Sequence, residues 1–343
     1  MKSLRLIASR LVWAIFTILF VMTLNFVIFR VLPGDPARGG LRDPRLTREA
    51  IEAIRVRFGL EKPVINCVQS LNPWEPGPCA VNPFDTQFFI YLRNLAQGEL
   101  GISYHTNRPV AEMMSQMIWN TILLIGLGQI LAIILGMGLG ILAAWKARTR
   151  LDFGALLFSL LAWSLPTFWL GIILLFWGSN QLGLPIGGRL TPGVDFPNTA
   201  AMLKDLGRHL VLPTLTYTIV FLGEYMLIMR STLIDVLSED FILTAKAKGL
   251  HTFQILKDHA LRNAMLPMVT LIAINLGFTV AGAIQIESVF SWPGLGGAVF
   301  DAVGQRDYPM LQGAFLLLAV TVILANLAAD LVYSWLDPRV RTD

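Results

Sequence analysis

Charge is what this sequence is short of. Asp, Glu, Lys and Arg make up 15% of its 343 residues against 55% hydrophobic residues, and the mean hydropathy is +0.61. That balance excludes an ordinary water-soluble domain and places the chain in a bilayer. Cysteine is nearly absent too, and the two present, Cys67 and Cys79, exclude a disulfide-rich scaffold. The four histidines, His105, His209, His251 and His259, fall on separate segments with no ligand spacing, so no metal site is expected. The chain also lacks a G-x-x-x-x-G-K-[ST] loop and so has no nucleotide cradle of that kind. Gly136-Met137-Gly138-Leu139-Gly140 imitates a dinucleotide loop, but it lies in an apolar window. There Gly136 and Gly140 read as a small-xxx-small surface for close helix packing. No intramembrane Ser/His or Asp/Asp pairing points to an enzyme.

What the chain does have is long apolar runs. Six windows reach the roughly 20 residues that a helix needs to cross about 30 Å of hydrocarbon. They are residues 11–31, 118–145, 153–180, 210–229, 265–286 and 311–335. Pro166 and Pro213 interrupt the third and fourth, which membrane bundles tolerate when neighbouring groups satisfy the freed backbone. The expectation is an all-α polytopic membrane protein. The first window follows a basic start, but it is too long for a signal-peptide core and lacks a small-x-small cleavage site, so it reads as an uncleaved anchor.

Lysine and arginine then set the orientation. With a cytoplasmic N-terminus, the inner side carries Lys2, Arg5 and Arg10, then Lys146, Arg148 and Arg150, then Arg230, Lys246, Lys248, Lys257 and Arg262, and finally Arg339 and Arg341. The opposite short loops hold Arg189, Lys204, Arg208 and Arg306. Both termini are therefore expected inside a cytoplasmic membrane. The resulting organisation is a tail and first span (1–32), an external segment (33–117), a core of five spans (118–335) with a cytoplasmic loop at about 239–262, and a final tail (336–343).

Within the external segment, residues 47–58 carry a Thr47 cap, apolar positions at helical spacing and a terminal Gly59, the pattern of an amphipathic helix. Cys67 and Cys79 lie beyond it on the oxidising side. They read either as a disulfide closing a short loop or as two separate thiols.

The cytoplasmic loop is the most informative stretch. Residues 244–248 are Ala- and Lys-rich, Gly249 is able to stop a helix with positive φ, and Thr252 is placed to cap a second helix running to Arg262. On spacing alone this is either a surface built to dock a partner or a solvated interfacial loop whose lysines enforce orientation or meet anionic lipid. Glu224, Asn275, Gln285 and Asn326, with Asp330, are polar residues at membrane depth and therefore candidates for the translocation pathway, or for helix–helix hydrogen bonds. Glu287, near the external end of the fifth window, reads as solvated.

TAKAKGL at 244–250 followed by HALRNAMLP at 259–267 resembles the cytoplasmic coupling loop of binding-protein-dependent ABC importers, in the form found in dipeptide and oligopeptide permeases. LPGDP at 32–36, GELG at 98–101, RPV at 108–110, PTFWLG at 166–171, WPGLG at 292–296, RDYP at 306–309 and LDPR at 336–339 match in the same order. The chain is similar to the first of the two permease subunits of such systems. The wider superfamily begins the loop with Glu-Ala-Ala where this chain has Leu243, Thr244 and Ala245, which narrows the branch; the insert around Cys67 and Cys79 is longer than is typical.

The resemblance implies a type I ABC importer fold and ATPase coupling through Asp240, Phe241, Thr244, Ala245, Lys246, Ala247, Lys248, Gly249 and Leu250. It also implies a second homologous permease forming half of a heterodimeric pore, two ATPase subunits that bind ATP and Mg, and an extracytoplasmic peptide-binding protein. The implied cargo is a di- or oligopeptide, with nickel complexes or glutathione as alternatives. A secondary carrier or channel is the rival class, and the absence of inverted repeats and of broken half-helices argues against it.

Overall fold

The computed structural model describes residues 2–31, 49, 62–64, 84–279 and 284–336. The predicted helix at 47–58, Cys67 and Cys79, and the final tail lie outside the described residues, except for Glu49 and Leu336. Among those described, the architecture is helical, with one isolated antiparallel bridge between Ile102 and Pro109. In chain order the helices are α1 (Lys2–Val31), α2 (Gln87–Ala96), α3 (Val110–Trp145), α4 (Arg150–Ser164), α5 (Thr167–Leu182), α6 (Thr199–Leu237), α7 (Asp240–Ala247) and α8 (Thr252–Gln254). A π-helical turn, Ile255–Ala260, leads into α9 (Leu261–Thr279), followed by α10 (Ile284–Val289), α11 (Leu295–Gln305) and α12 (Tyr308–Leu336).

Four of these, α1, α3, α6 and α12, are long and apolar enough to cross a membrane. They correspond to the first, second, fourth and sixth predicted spans. The third is not a straight helix. It breaks into α4 and α5, which meet at 101°, and this overturns the expectation that no half-helix is broken. Proline disfavours the α region for the residue before it, and Leu165 accordingly turns extended at φ −74°, ψ 132°. Pro166 then opens α5 as its N-cap, its carbonyl accepting from Trp169 N at 3.0 Å. The fifth predicted span begins as α9, whose end adjoins residues 280–283, outside the described set.

The chain divides into two compact units. One comprises Met1–Leu11, Trp119–Gly297 and Thr321–Asp343; the other comprises Val12–Ile118 and Ala298–Val320. The first is organised on α6, whose 39 residues extend roughly 58 Å at the helical rise and so pass well beyond the hydrocarbon. Lipid offers apolar side chains no less than a neighbouring helix does, so helices associate through close packing and polar contacts instead. α3 meets α6 through glycine. A Cβ on Gly136 would lie 2.7 Å from Leu222 O and Tyr225 Cβ, and one on Gly140 would lie 2.8 Å from Met226 O. α4 approaches α6 as closely, since a Cβ on Gly223 would fall 2.5 Å from Ser159 O.

Polar contacts tie the same helices. Thr149 caps α4, and Asp152 in its first turn receives Arg148 N at 2.8 Å and Arg230 Nη2 at 2.8 Å, with Arg230 Nε on its other oxygen. This bidentate pair locks α4 to α6 near the basic end of both.

The second unit packs Phe26 of α1 against Phe88 and Tyr91 of α2, with ring centroids 5.3 and 5.4 Å apart. Asn25 donates to Gln312 O at 2.9 Å, and buried Asp307 receives Ser103 Oγ and Tyr104 N. A cavity of about 80 Å³ lies among Phe29, Tyr91, Tyr104 and Tyr308.

Two expectations follow for the purified complex in detergent. Gly140→Leu has no room for its side chain and lowers the thermal midpoint by an amount equivalent to about 1–3 kcal/mol, the usual cost of overpacking. An unchanged midpoint would mean that α3 and α6 do not approach as described. Asp152→Asn, which loses the charge but keeps the shape, costs about 1.5–3 kcal/mol, the scale of a hydrogen bond to a charged group. Arg230→Gln should then add little on top of it in a double-mutant cycle.

Candidate functional site

The loop expected on the cytoplasmic side folds as a helix, a tight stop and a second start. Glu239 stands at the N-cap of α7 in extended conformation. The other end closes as a Schellman motif: Leu250 N donates to Ala245 O at 3.3 Å, Gly249 N donates to Lys246 O at 3.0 Å, and Gly249 takes φ +77°. The predicted stop at Gly249 is therefore in place. The predicted cap at Thr252 is not, because the chain turns one residue earlier. His251 is the N-cap of α8, its Nδ1 accepting from Phe253 N at 3.3 Å while its own N donates to Gln254 Oε1 at 3.2 Å. This reciprocal arrangement is a capping box in which imidazole replaces the usual hydroxyl.

α7 has two faces. Ile242 and Ala245 are buried, 0% and 5% exposed, in a cluster with Leu233 of α6, Ile255, Leu256 and Ala260 of the π-helical turn, and Ala264 and Met268 of α9. Asp240, Phe241, Leu243, Thr244, Lys246, Ala247, Lys248, Gly249 and Leu250 are exposed, Phe241 at 41% and Leu243 at 68%. Ala245, placed among the docking residues by the resemblance, thus faces the chain's own core. Its neighbour Leu243 takes the outward position instead. Phe253 is also exposed, with its ring 6.5 Å from that of Trp145 at the end of α3. An exposed apolar strip flanked by Lys246 and Lys248 thus stands on a helix anchored internally by Ile242 and Ala245.

A second polar assembly lies within the spans. Tyr217 OH donates to Gln129 Oε1 at 2.6 Å, and Gln129 Nε2 donates to Tyr225 OH. Asn275 Nδ2 reaches Tyr225 OH at 3.0 Å and Glu224 Oε2 at 3.1 Å. The network joins α3, α6 and α9. It brings together Glu224 and Asn275 of the four pathway candidates; Gln285 and Asn326 are exposed elsewhere and take no part. The side chain of Asp330 lies outside the described residues. Gln129, Tyr217 and Tyr225 went unread in the sequence. Gln129 carried a usable signal as an amide in the midst of the second apolar window.

Glu287 corrects another expectation. It is 1% exposed, not solvated. Its Oε1 accepts from Thr121 Oγ1 at 2.8 Å and its Oε2 from Gly297 N at 2.8 Å, at the N-terminus of α11. Thr121 Oγ1 in turn accepts from Leu295 N at 2.8 Å, and Trp292 Nε1 donates to Asn120 O at 2.9 Å. Burial pushes the Glu287 carboxyl up from its ordinary value, and these hydrogen bonds work against that shift. Gly294 leaves room for the acid, since a Cβ there would sit 2.4 Å from the Glu287 carboxylate, which would have to shift. The WPGLG segment is thus a turn wrapped on one buried acid.

The family described as "Binding-protein-dependent transport system inner membrane component" matches residues 136–342. A putative peptide permease protein of Brucella suis biovar 1 is 36% identical over 341 residues, 98% of this chain and 99% of its own. The di/tripeptide transport system permease protein DppB of Pseudomonas aeruginosa is 35% identical over 356 residues, with coverage of 98% and 99%. The glutathione transport system permease protein GsiC of Escherichia coli O6:H1 is 34% identical over 340 residues, again covering 98% and 99%. Among solved structures, the MetNI methionine ABC transporter in inward facing conformations has a TM-score of 0.51 at 16% identity, covering 66% of this chain and 96% of that one, which speaks to the fold alone. With a family match over residues 136–342 and relatives aligned almost end to end, the chain belongs to the inner membrane components of binding-protein-dependent transport systems.

Proposed function

We propose that this chain is the transmembrane permease subunit of an ATP-driven ABC importer for di- or oligopeptides, working by alternating access. The observation that carries the coupling half of this reading is the two-faced α7. Its outer face, with Phe241, Leu243 and Lys246, is free for an ATPase subunit, while Ile242 and Ala245 bind it to α6 and α9 of its own chain. The cargo half is supported by relatives named for peptides and dipeptides at 34–36% identity over nearly the whole chain. Glutathione, itself a tripeptide, is a second reading favoured by the 34% identity to GsiC.

On this reading the chain pairs with a second homologous permease, and each permease presents a helix like α7 to one of two ATPases. ATP and Mg are bound by those ATPases. Their closure around nucleotide draws the two helices together and turns the pathway outward, where a peptide-loaded binding protein docks; hydrolysis releases them. Both termini then lie on the cytoplasmic side, together with α7.

Affinity purification of the tagged chain in mild detergent tests this. It should recover a second permease and ATPase subunits, and ATP hydrolysis should rise when peptide-loaded binding protein is added. Recovery of the chain without an ATPase would instead favour a carrier or channel. Gly249 gives a sharper expectation. A Cβ there meets nothing within 4 Å, so Gly249→Ala bears the conformational cost of positive φ, about 1 kcal/mol, and should retain most transport. Gly249→Pro is barred from φ +77° altogether and should hydrolyse ATP without importing peptide. Full transport by the proline variant at normal abundance would remove α7 from the coupling route.

A further inference from the structure

Glu224 is chemically out of place. It is the one charged residue between positions 210 and 229, and with Asp330 one of two carboxylates in the six predicted spans. Gly223, Tyr225 and Met226 around it on α6 are buried, whereas Glu224 is half-exposed. Among the described residues no basic side chain forms an ion pair with it, and its hydrogen-bond partner is Asn275, on Oε2. Asn275 is held in turn by Tyr225 OH, on which Gln129 also converges, and Gln129 is braced by Tyr217. Among the described residues, the groups this network places behind the carboxylate are neutral amides and phenols. The network therefore fixes the position of the acid without neutralising it.

A carboxylate turned toward lipid is costly, so intramembrane acids face a bundle interior or a watery path and find a positive partner there. The partner's chemistry can be narrowed. One carboxylate beside one amide is too poor in ligands for Ca²⁺, which gathers about six to eight oxygens, and Mg²⁺ held by so few carboxylates usually relies on substrate phosphates, which a peptide lacks. A primary ammonium needs less, since one charged acceptor and a few neutral oxygens or an aromatic face suffice. Phe221, one turn before Glu224 on α6, is part exposed and stacks on Tyr217 with centroids 4.2 Å apart. Acid and aromatic thus stand at helical spacing on one side of α6.

We propose that Glu224 holds the amino-terminal ammonium of a peptide during its passage, with Asn275 as the residue that positions the carboxylate. This rests on the peptide-importer reading and adds the recognition chemistry of its pathway. A free α-ammonium is common to dipeptides, tripeptides and glutathione, so the site serves either cargo.

The test uses the whole complex, reconstituted in proteoliposomes with its binding protein, and radiolabelled alanyl-alanine as the probe. Uptake and ATP hydrolysis stimulated by the loaded binding protein are both measured for wild type, Glu224→Gln and Glu224→Asp. The glutamine variant keeps the length and an acceptor for Asn275 but loses the charge. Its uptake should fall about tenfold or more, the scale of one lost hydrogen bond to a charged group, while stimulated hydrolysis stays near wild type. Glu224→Asp, charged but shorter, should transport better than Glu224→Gln. A role in helix packing alone predicts the reverse order, with the near-isosteric glutamine the better of the two, and that result would overturn the proposal. So would wild-type uptake by Glu224→Gln, or loss of hydrolysis in step with uptake. Failure of the wild-type complex to take up alanyl-alanine or glutathione would count against the peptide reading itself and is distinguishable from all of these.

Discussion

Helices in a bilayer gain little by hiding apolar side chains from one another, so their association depends on how near two backbones are allowed to come. In this chain that closeness is concentrated on α6. Gly136 and Gly140 bring α3 onto it, and Gly223 brings α4, at separations where even a methyl group would collide with a carbonyl oxygen. The polar contacts depend on this approach. Gln129 reaches Tyr217 and Tyr225 because α3 lies against α6, and Arg230 reaches Asp152 because α4 does. The same long helix delivers Leu233 to the cluster that seats Ile242 and Ala245. One packing constraint thus underlies the intramembrane network, the lock near the basic loop and the seat of α7.

The sequence made some of this legible and hid the rest for physical reasons. Gly136 and Gly140 could be read because four-residue spacing on one helix is a local property, and the Gly249 stop because positive φ is nearly a glycine property. Pro166 announced an interruption but not its size; whether a proline kinks a span or turns the chain by 101° is decided by what packs on either side. The cap at His251 was missed because imidazole is an uncommon N-cap and Thr252 beside it is a usual one. Glu287 misled for a different reason. Its partner Thr121 stands 166 residues earlier, and burial arranged over such a separation leaves no local trace.

The candidate residues divide in the same way. Those on α7 follow from a contiguous motif, although only the fold reveals that Ala245 points inward while Leu243 points out. The intramembrane residues were chosen one by one for being polar in apolar surroundings. That criterion found Glu224 and Asn275 but also Gln285 and Asn326, which the fold leaves apart, and it passed over Gln129 and the two tyrosines. Polarity identifies an unusual residue, whereas membership of a network requires three helices to meet.

The stop at Gly249 and the capping box at His251 follow one another within three residues, and the π-helical turn then runs without a break into α9. The backbone between α7 and the fifth predicted span is thus tied by hydrogen bonds at Gly249, Leu250, His251, Phe253 and Ile255, and the buried flank of α7 is gripped by that span's first turns. If α7 has the coupling role proposed above, a push on its outer face is passed to the root of that span through hydrogen-bonded backbone and a shared buried cluster, with no long unbonded loop between them.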